Sequence, residues 1–534
     1  MVHKKDARER EHVDYYTAAV VEYTSINMIQ PEKQWTVPDL MQANAEQFVK
    51  IIQNASHYDV DIIVFPECGL SGTPMPKKRA EIKPYLTTIP NPTDHGIPYK
   101  EPQKYAKVSR TLRIKPYLTS IPNPTDHVIP YKEPQNYAKV LTVLSKAAAE
   151  SNMYVVVNMP ERVKCPVGDF STICNGIDTE YHYNTNVVFD RQGQIIAKYR
   201  KYNLFLEFGF DTTPRPELVT FDTDFGVTFG VFICFDILFT QPAVELVRQK
   251  NVTDFVFSAA WMSELPLLTA VTVHSSWAFS MDVNLLSSNL NKPAQYGGGS
   301  GIYAGRHGVQ VAVMPQYTGS QLLISRVPKK NSPRPLRPAE SRRHVVPIIP
   351  PPIHQQNQLR LLCDSSYSSF HSKPLECIQP NDKNTSTFSY SEPKHGFSCS
   401  IEVVWTNKDC NNNMPSYKMF GYAGERTFSG AKTCYIEVCG LSAVTNDAVG
   451  CGKIPDLYDS GVTIHSISIN VSSSSGLNSI AVPITINSSV IPIHVTDYTF
   501  NNDGKSIQNI QMNLVKPSTD LITFAVYRLP QEVS

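Results

Sequence analysis

The sequence predicts an α/β domain followed by a smaller, mostly-β second domain. Three observations carry this. From Tyr15 to about Val327, short runs rich in Val, Ile and Phe alternate with segments of helical periodicity. Between Pro328 and Gln358 the text becomes "PKKNSPRPLRPAESRRHVVPIIPPPIHQQNQ", dense in proline and charge, which is the composition of an extended linker. From 359 to 534 the pattern is alternating β-type runs separated by Gly, Ser and Asn turns. Residues 1–14 form a charged N-terminal extension.

In the first domain (15–327), "YYTAAVVEY", "DIIVFPE", "MYVVVNMP", "FGVTFGVFICF" and "TDFVFSAAW" read as buried strands, because their faces alternate little in polarity. "VPDLMQANAEQFVKIIQNA" places Leu40, Met41, Ala45, Phe48 and Ile52 at helical spacing behind a proline and an aspartate. "YNTNVVFDRQGQIIAKYRKYNLF" reads as a hairpin turning near Gly193.

Charge excludes some functions. With 49 basic and 48 acidic side chains the formal charge is +1, which supplies no field to attract nucleic acid. No apolar run reaches the roughly 18 residues a spanning helix needs, and the charged start lacks the apolar core of a secretory signal. Eleven cysteines, seven of them from Cys363 onward, point instead to disulfides and an oxidising compartment. Cys165 and Cys174 are expected to pair. No Cys-x-x-Cys spacing marks a zinc site, and no cofactor motif is evident. The triplets at Asn54, Asn251, Asn384, Asn470 and Asn487 are candidate N-glycosylation acceptors.

Residues 82–107 recur almost unchanged at 114–139, differing at Thr88/Ser120, Gly96/Val128 and Lys104/Asn136. Two copies make no solenoid, which needs at least about three units. The unit is proline-rich and reads as a duplicated loop. The second copy leads directly into the helical "QNYAKVLTVLSKAAAE" and is expected to be the native one, with the first bulging outward as an extra loop.

Three runs in the first domain each end on a reactive side chain: "IIVFPECG" with Glu67, "AKYRKYNLF" with Lys201 and "VFICFDILF" with Cys234. Singly each has a plain structural explanation. Together they suit amide hydrolysis. A carboxylate takes the proton of a thiol, the thiolate attacks a carbonyl, and an ammonium with a backbone N–H holds the charge that develops on oxygen. Glu67 would be the proton acceptor, Cys234 the nucleophile, Lys201 the proton donor and oxyanion stabiliser, and Phe235 the N–H donor. No metal or cofactor is required. A Cys/His mechanism competes, but His274 and His307 stand in no local motif.

The order Glu, Lys, Cys on these motifs resembles the nitrilase superfamily of carbon–nitrogen hydrolases. "KYNLF", "CFDILFTQPAVELV", "AAWMSELPLLTAV", "HSSWAFSMDVNLLSSN" and "GSGIYA" are similar to its vanin and biotinidase branch, and the second domain, with Cys434, Cys439 and Cys451, resembles that branch's C-terminal domain. The resemblance implies a nitrilase-type α-β-β-α sandwich and an extracellular amidase. Its substrate would be a small-molecule amide, pantetheine or a biotinyl amide such as biocytin. A catalytically silent scaffold of the same fold is the alternative from another class. Glu207 in "FLEFGF" is a candidate second acidic residue and Trp261 a candidate pocket wall. Cys68 departs from the branch, which more often has an acidic residue beside the catalytic carboxylate.

Overall fold

The alternation of strand side chains decides which layer each one enters. In the first strand, Tyr16, Ala18 and Val20 enter one core and Ala19, Val21 and Tyr23 another, because successive residues point to opposite faces. A computed structural model describes residues 14–72, 78–88, 129–165, 174, 179–330, 342–349, 359–377, 379–409, 416–444, 454, 457, 461–474, 480–502 and 508–532.

The first-domain strands are β1 (Tyr15–Glu22), β2 (Ile62–Val64), β3 (Thr87–Thr88), β4 (Tyr154–Lys164), β5 (Glu180–Phe189), β6 (Ile195–Arg200), β7 (Thr220–Asp222), β8 (Thr228–Ile233), β9 (Asp254–Ala259), β10 (Asn284–Asn289), β11 (Ser300–Ala304), β12 (Val309–Val313), β13 (Ser320–Pro328) and β14 (Arg343–Ile349). One sheet runs β14-β13-β1-β2-β4-β5-β6, with β3 pairing on β4; the other runs β12-β11-β10-β9-β8-β7. Helices α1 (Val37–Ser56) and α2 (Lys139–Ser151) cover the outer face of the first sheet. Helix α3 (Ala270–Met281) packs on the second. The order of layers is therefore the expected α-β-β-α sandwich. Its sheets are tied across the middle by Tyr16 Oη donating to Asp254 Oδ1 at 2.7 Å and Ser288 Oγ donating to the Val21 carbonyl at 2.5 Å.

Local signals hold up. Thr36 caps α1 by accepting from Asp39 N, and Pro38 occupies its first turn. The hairpin β5–β6 turns through Gly193, at φ +76°, and a Cβ there would lie 2.2 Å from the Ser145 carbonyl oxygen, so only glycine fits.

Two expectations change. The proline-rich stretch 328–358 is not wholly a linker, since β14 adds to the edge of the first sheet antiparallel to β13. The first copy of the duplicated loop does not simply bulge outward: Ile82 and Leu86 are buried against Phe210, and Thr87–Thr88 pairs with Glu161 and Arg162. From the second copy, residues 130–132 form a short turn ahead of α2. Apolar contacts are thus described for Ile82 and Leu86 at the head of the first copy and for Ala138 near the end of the second. Residues 89–128 lie outside the described residues.

The second domain is a sandwich of two five-stranded antiparallel sheets. Phe397–Asn407 lies in one and Lys432–Val444 in the other, and the Cys399–Cys439 disulfide crosses between them. Cys165 and Cys174 are also bonded, as expected. The edge strand Ala481–Asn487 meets α3, whose Ser276 and Thr272 hydroxyls donate to the carbonyls of Pro483 (2.5 Å) and Thr485 (3.2 Å). This covers an edge that would otherwise offer open backbone groups, and it explains why α3 is buried almost all round.

Removing the cross-sheet tie with a Cys399→Ala/Cys439→Ala double variant should lower the stability of the second domain by about 2–5 kcal/mol, read as its denaturant midpoint. His274 supplies a pH test. Burial pushes its pKa down to about 3, against about 6.5 in an unfolded chain. Its neutral form therefore stabilises the fold fully above the unfolded value, and that contribution falls away as pH drops from there toward 3. A His274→Gln variant should lose about one proton of slope from the stability–pH curve in this window, measured by urea melts at successive pH values.

Candidate active site

Glu67, Lys201, Cys234 and Trp261 lie just beyond the C-terminal ends of β2, β6, β8 and β9. In open α/β sheets that end of the strands is where loops converge and ligands bind. Strand alternation selects the lysine. Along β6, Lys198 and Arg200 face Glu161, at 2.9 and 2.8 Å, while Tyr199 and Lys201 face the other way, into the sandwich.

Lys201 Nζ is 2.7 Å from Glu67 Oε1 and 2.6 Å from Glu207 Oε2. All three are largely or fully buried, Lys201 to 1% exposure. Burial would depress the lysine pKa, but the Glu207 and Glu67 carboxylates outweigh it and hold the ammonium well above its ordinary range. Burial raises the Glu207 pKa, against the pull of Lys201. Asn184 Nδ2 donates to both acids, to Glu67 at 2.7 Å and Glu207 at 2.5 Å. Glu67 Oε2 also accepts the Ala260 N–H at 2.9 Å. Two carboxylates, one ammonium and one amide thus form a closed network.

Cys234 sits at the turn from β8 into the short helical segment Cys234–Leu238, at φ +47°, a left-handed conformation that costs a non-glycine residue about 1–2 kcal/mol. Asp236 holds that turn. Its carboxylate accepts from Tyr199 Oη (2.8 Å), Asn203 N (2.8 Å), Asn203 Nδ2 (2.9 Å) and Ile233 N (3.0 Å). Burial pushes the Cys234 thiol up, Glu67 adds to this, and Lys201 opposes it. This environment favours the neutral thiol over the thiolate. A base must take its proton before it can attack.

A narrow cleft lies over the sulfur. Phe205, Phe235, Leu238, Trp261 and Met262 line it from the first domain, with Leu362, Phe428 and Ser429 from beyond residue 358. The structure brings Glu67, Lys201, Cys234 and Phe235 together with both accessory candidates, Glu207 and Trp261. Sequence reasoning missed Asn184, Asp236 and the contribution of the second domain. Asn184 had no distinguishing signal, because β5 also carries Glu180, His182, Thr185 and Asn186. His274 and His307 are not part of the cluster: His274 Nδ1 pairs with Ser287 Oγ at 2.9 Å, and His307 is exposed. Cys68 is a half-buried thiol whose N–H donates to Asn158 Oδ1.

The five Asn triplets do not line the cleft. Asn251 and Asn470 are exposed, and Asn54 and Asn487 partly so. Asn384 is buried, with Nδ2 donating to the Asp382 carbonyl at 2.9 Å, so a glycan there would require that contact to open. Among the described residues no group of three or more His, Cys, Asp or Glu side chains is arranged to hold a metal ion.

Residues 17–270 match the carbon-nitrogen hydrolase family, and residues 359–533 match the vanin C-terminal domain. The chain is 31% identical to Vanin-like protein 1 of Drosophila melanogaster, across 96% of this chain and 85% of that protein. Identity to Vanin-like protein 2 of the same organism is 30%, across 96% and 89%. The alignment with the Pantetheinase of Homo sapiens is 37% identical and spans 54% of this chain and 50% of that protein. A buried Glu–Lys–Cys cluster at strand ends, followed by a β sandwich of matching family, leads to one assignment: the chain belongs to the vanin branch of the carbon–nitrogen hydrolases, within the nitrilase superfamily.

Proposed function

We propose that this hydrolase cleaves pantetheine to pantothenate and cysteamine through a thioester on Cys234. The observation that carries the chemistry is the Glu67–Lys201 contact at 2.7 Å beside a buried neutral thiol, at the floor of a narrow cleft. The likeness to mammalian pantetheinases supports the substrate.

Glu67 accepts the thiol proton as Cys234 Sγ bonds to the amide carbon. Negative charge gathers on the carbonyl oxygen, where Lys201 Nζ and the Phe235 N–H receive it. When the tetrahedral species collapses, the C–N bond breaks, and the proton held by Glu67 passes to the departing amine. Water then attacks the thioester with Glu67 again as base. The C–S bond breaks, the acid leaves and the thiol is restored. Glu207 and Asn184 keep Lys201 and Glu67 fixed while charge moves between them.

The same steps would serve biocytin with a different acyl pocket. A silent scaffold is disfavoured, because a buried ammonium and two buried acids are costly to keep together without a use. The Cys165–Cys174 and Cys399–Cys439 disulfides support an extracellular setting.

Incubating the purified protein with pantetheine should release cysteamine, while biocytin releases no biotin. In Cys234→Ala the cysteamine signal should fall by about 10³-fold or more; activity that survived would overturn the mechanism. Glu67→Gln, which keeps the hydrogen-bonding shape but cannot take a proton, should lower kcat by about 10²–10⁴-fold. Iodoacetamide labelling of Cys234 should slow in that variant, as read on the Cys234 peptide by mass spectrometry.

A further inference from the structure

The second domain forms one wall of the cleft over Cys234. Phe428, the last residue of the strand Ser416–Phe428, is 5% exposed, and its ring centroid lies 5.8 Å from that of Phe235, the residue after the nucleophile. Ser429 follows at φ +47° and faces the same cleft. Beside it lies a second opening that shares Glu264, Leu362 and Ser429 with the cleft and adds Cys363, Asp364, Thr427 and Gly430. The inner cleft is mainly aromatic and aliphatic, with Glu264 and Ser429 at its edge, whereas the second opening carries carboxylate, hydroxyl and glycine groups beside Leu362 and Cys363.

Arg426 anchors this turn. It is two residues before Phe428 on the same face of the strand, is 1% exposed, and stacks 4.6 Å from the Phe428 ring. Its guanidinium pairs with Glu264 of the first domain and with Asp364, the latter at 3.1 Å, while Glu264 also accepts from Tyr367 Oη. Glu264 itself lines both openings. A planar, always-charged fork can hold two carboxylates and stack on a ring together, which lysine cannot. The position of Phe428 relative to Cys234 is therefore set across the domain boundary by a buried ion cluster.

We propose that the turn Phe428–Gly430 is a specificity-determining wall of the active site, receiving an acyl arm that is apolar near the carbonyl and hydroxylated at its far end, with Arg426 as its positioning residue. This rests on the amidase reading above and names what selects its substrate. The pantothenoyl arm has that order of groups. A short acyl chain reaches only the inner, first-domain part of the cleft.

The test compares pantetheine with N-acetylcysteamine, which has the same leaving amine and almost no acyl arm. In Phe428→Ala, the ratio of kcat/KM for pantetheine over N-acetylcysteamine should fall about tenfold or more, chiefly through KM for pantetheine. Arg426→Lys should shift the ratio the same way, with its unfolding midpoint measured in parallel to separate misfolding from mispositioning. An unchanged ratio in Phe428→Ala overturns the proposal. If the wild type cleaves neither compound, the substrate reading fails, and the wall is tested by itself on the alkylation rate of Cys234. Phe428→Ala should then accelerate N-phenylmaleimide severalfold over iodoacetamide, and equal acceleration would overturn it.

Discussion

The buried ammonium of Lys201 is the constraint on which the site depends. A lone charge at 1% exposure would be too costly to keep, so the fold has to bring acids to it. Glu67 comes from the end of β2 and Glu207 from the loop after β6, with Asn184 of β5 donating to both. Each acid is in turn acceptable in the interior because the lysine and the amide satisfy it. Removing one member leaves the others uncompensated, which fixes their geometry more firmly than any single contact does.

The same logic extends to the nucleophile. Cys234 occupies a left-handed turn that its own side chain disfavours. The Asp236 carboxylate, with four donors gathered on it, holds the backbone there. One of those donors, Tyr199, is on β6 two residues before Lys201, so β6 supports the thiol turn and carries the ammonium at once. A neutral thiol beside a carboxylate, rather than a standing thiolate, is the form this environment favours.

Polar contacts help to join the second domain to this arrangement. Helix α3 covers the edge strand Ala481–Asn487 with hydroxyls, and Arg426 joins Glu264 where the cleft opens. Both are polar contacts in buried surroundings, which specify position more sharply than apolar packing would. The β sandwich is thus held in register with the catalytic layers rather than tethered beside them.

By itself the sequence determined the alternating α/β character, the strands that end on Glu67, Lys201 and Cys234, and the family motifs around them, because these are local patterns of polarity and residue type. It left Glu207 ambiguous and passed over Asn184 and Asp236, since their meaning comes from partners distant in the chain: Asn184 meets Glu67 across 117 residues. It also could not show that β14 extends the sheet, that both copies of the duplicated loop lend packed residues, or that Phe428 roofs a cleft whose nucleophile is Cys234. Those were decided by tertiary structure, because a buried charge or an uncovered sheet edge must find its partner in space, and separation along the chain does not say where that partner is.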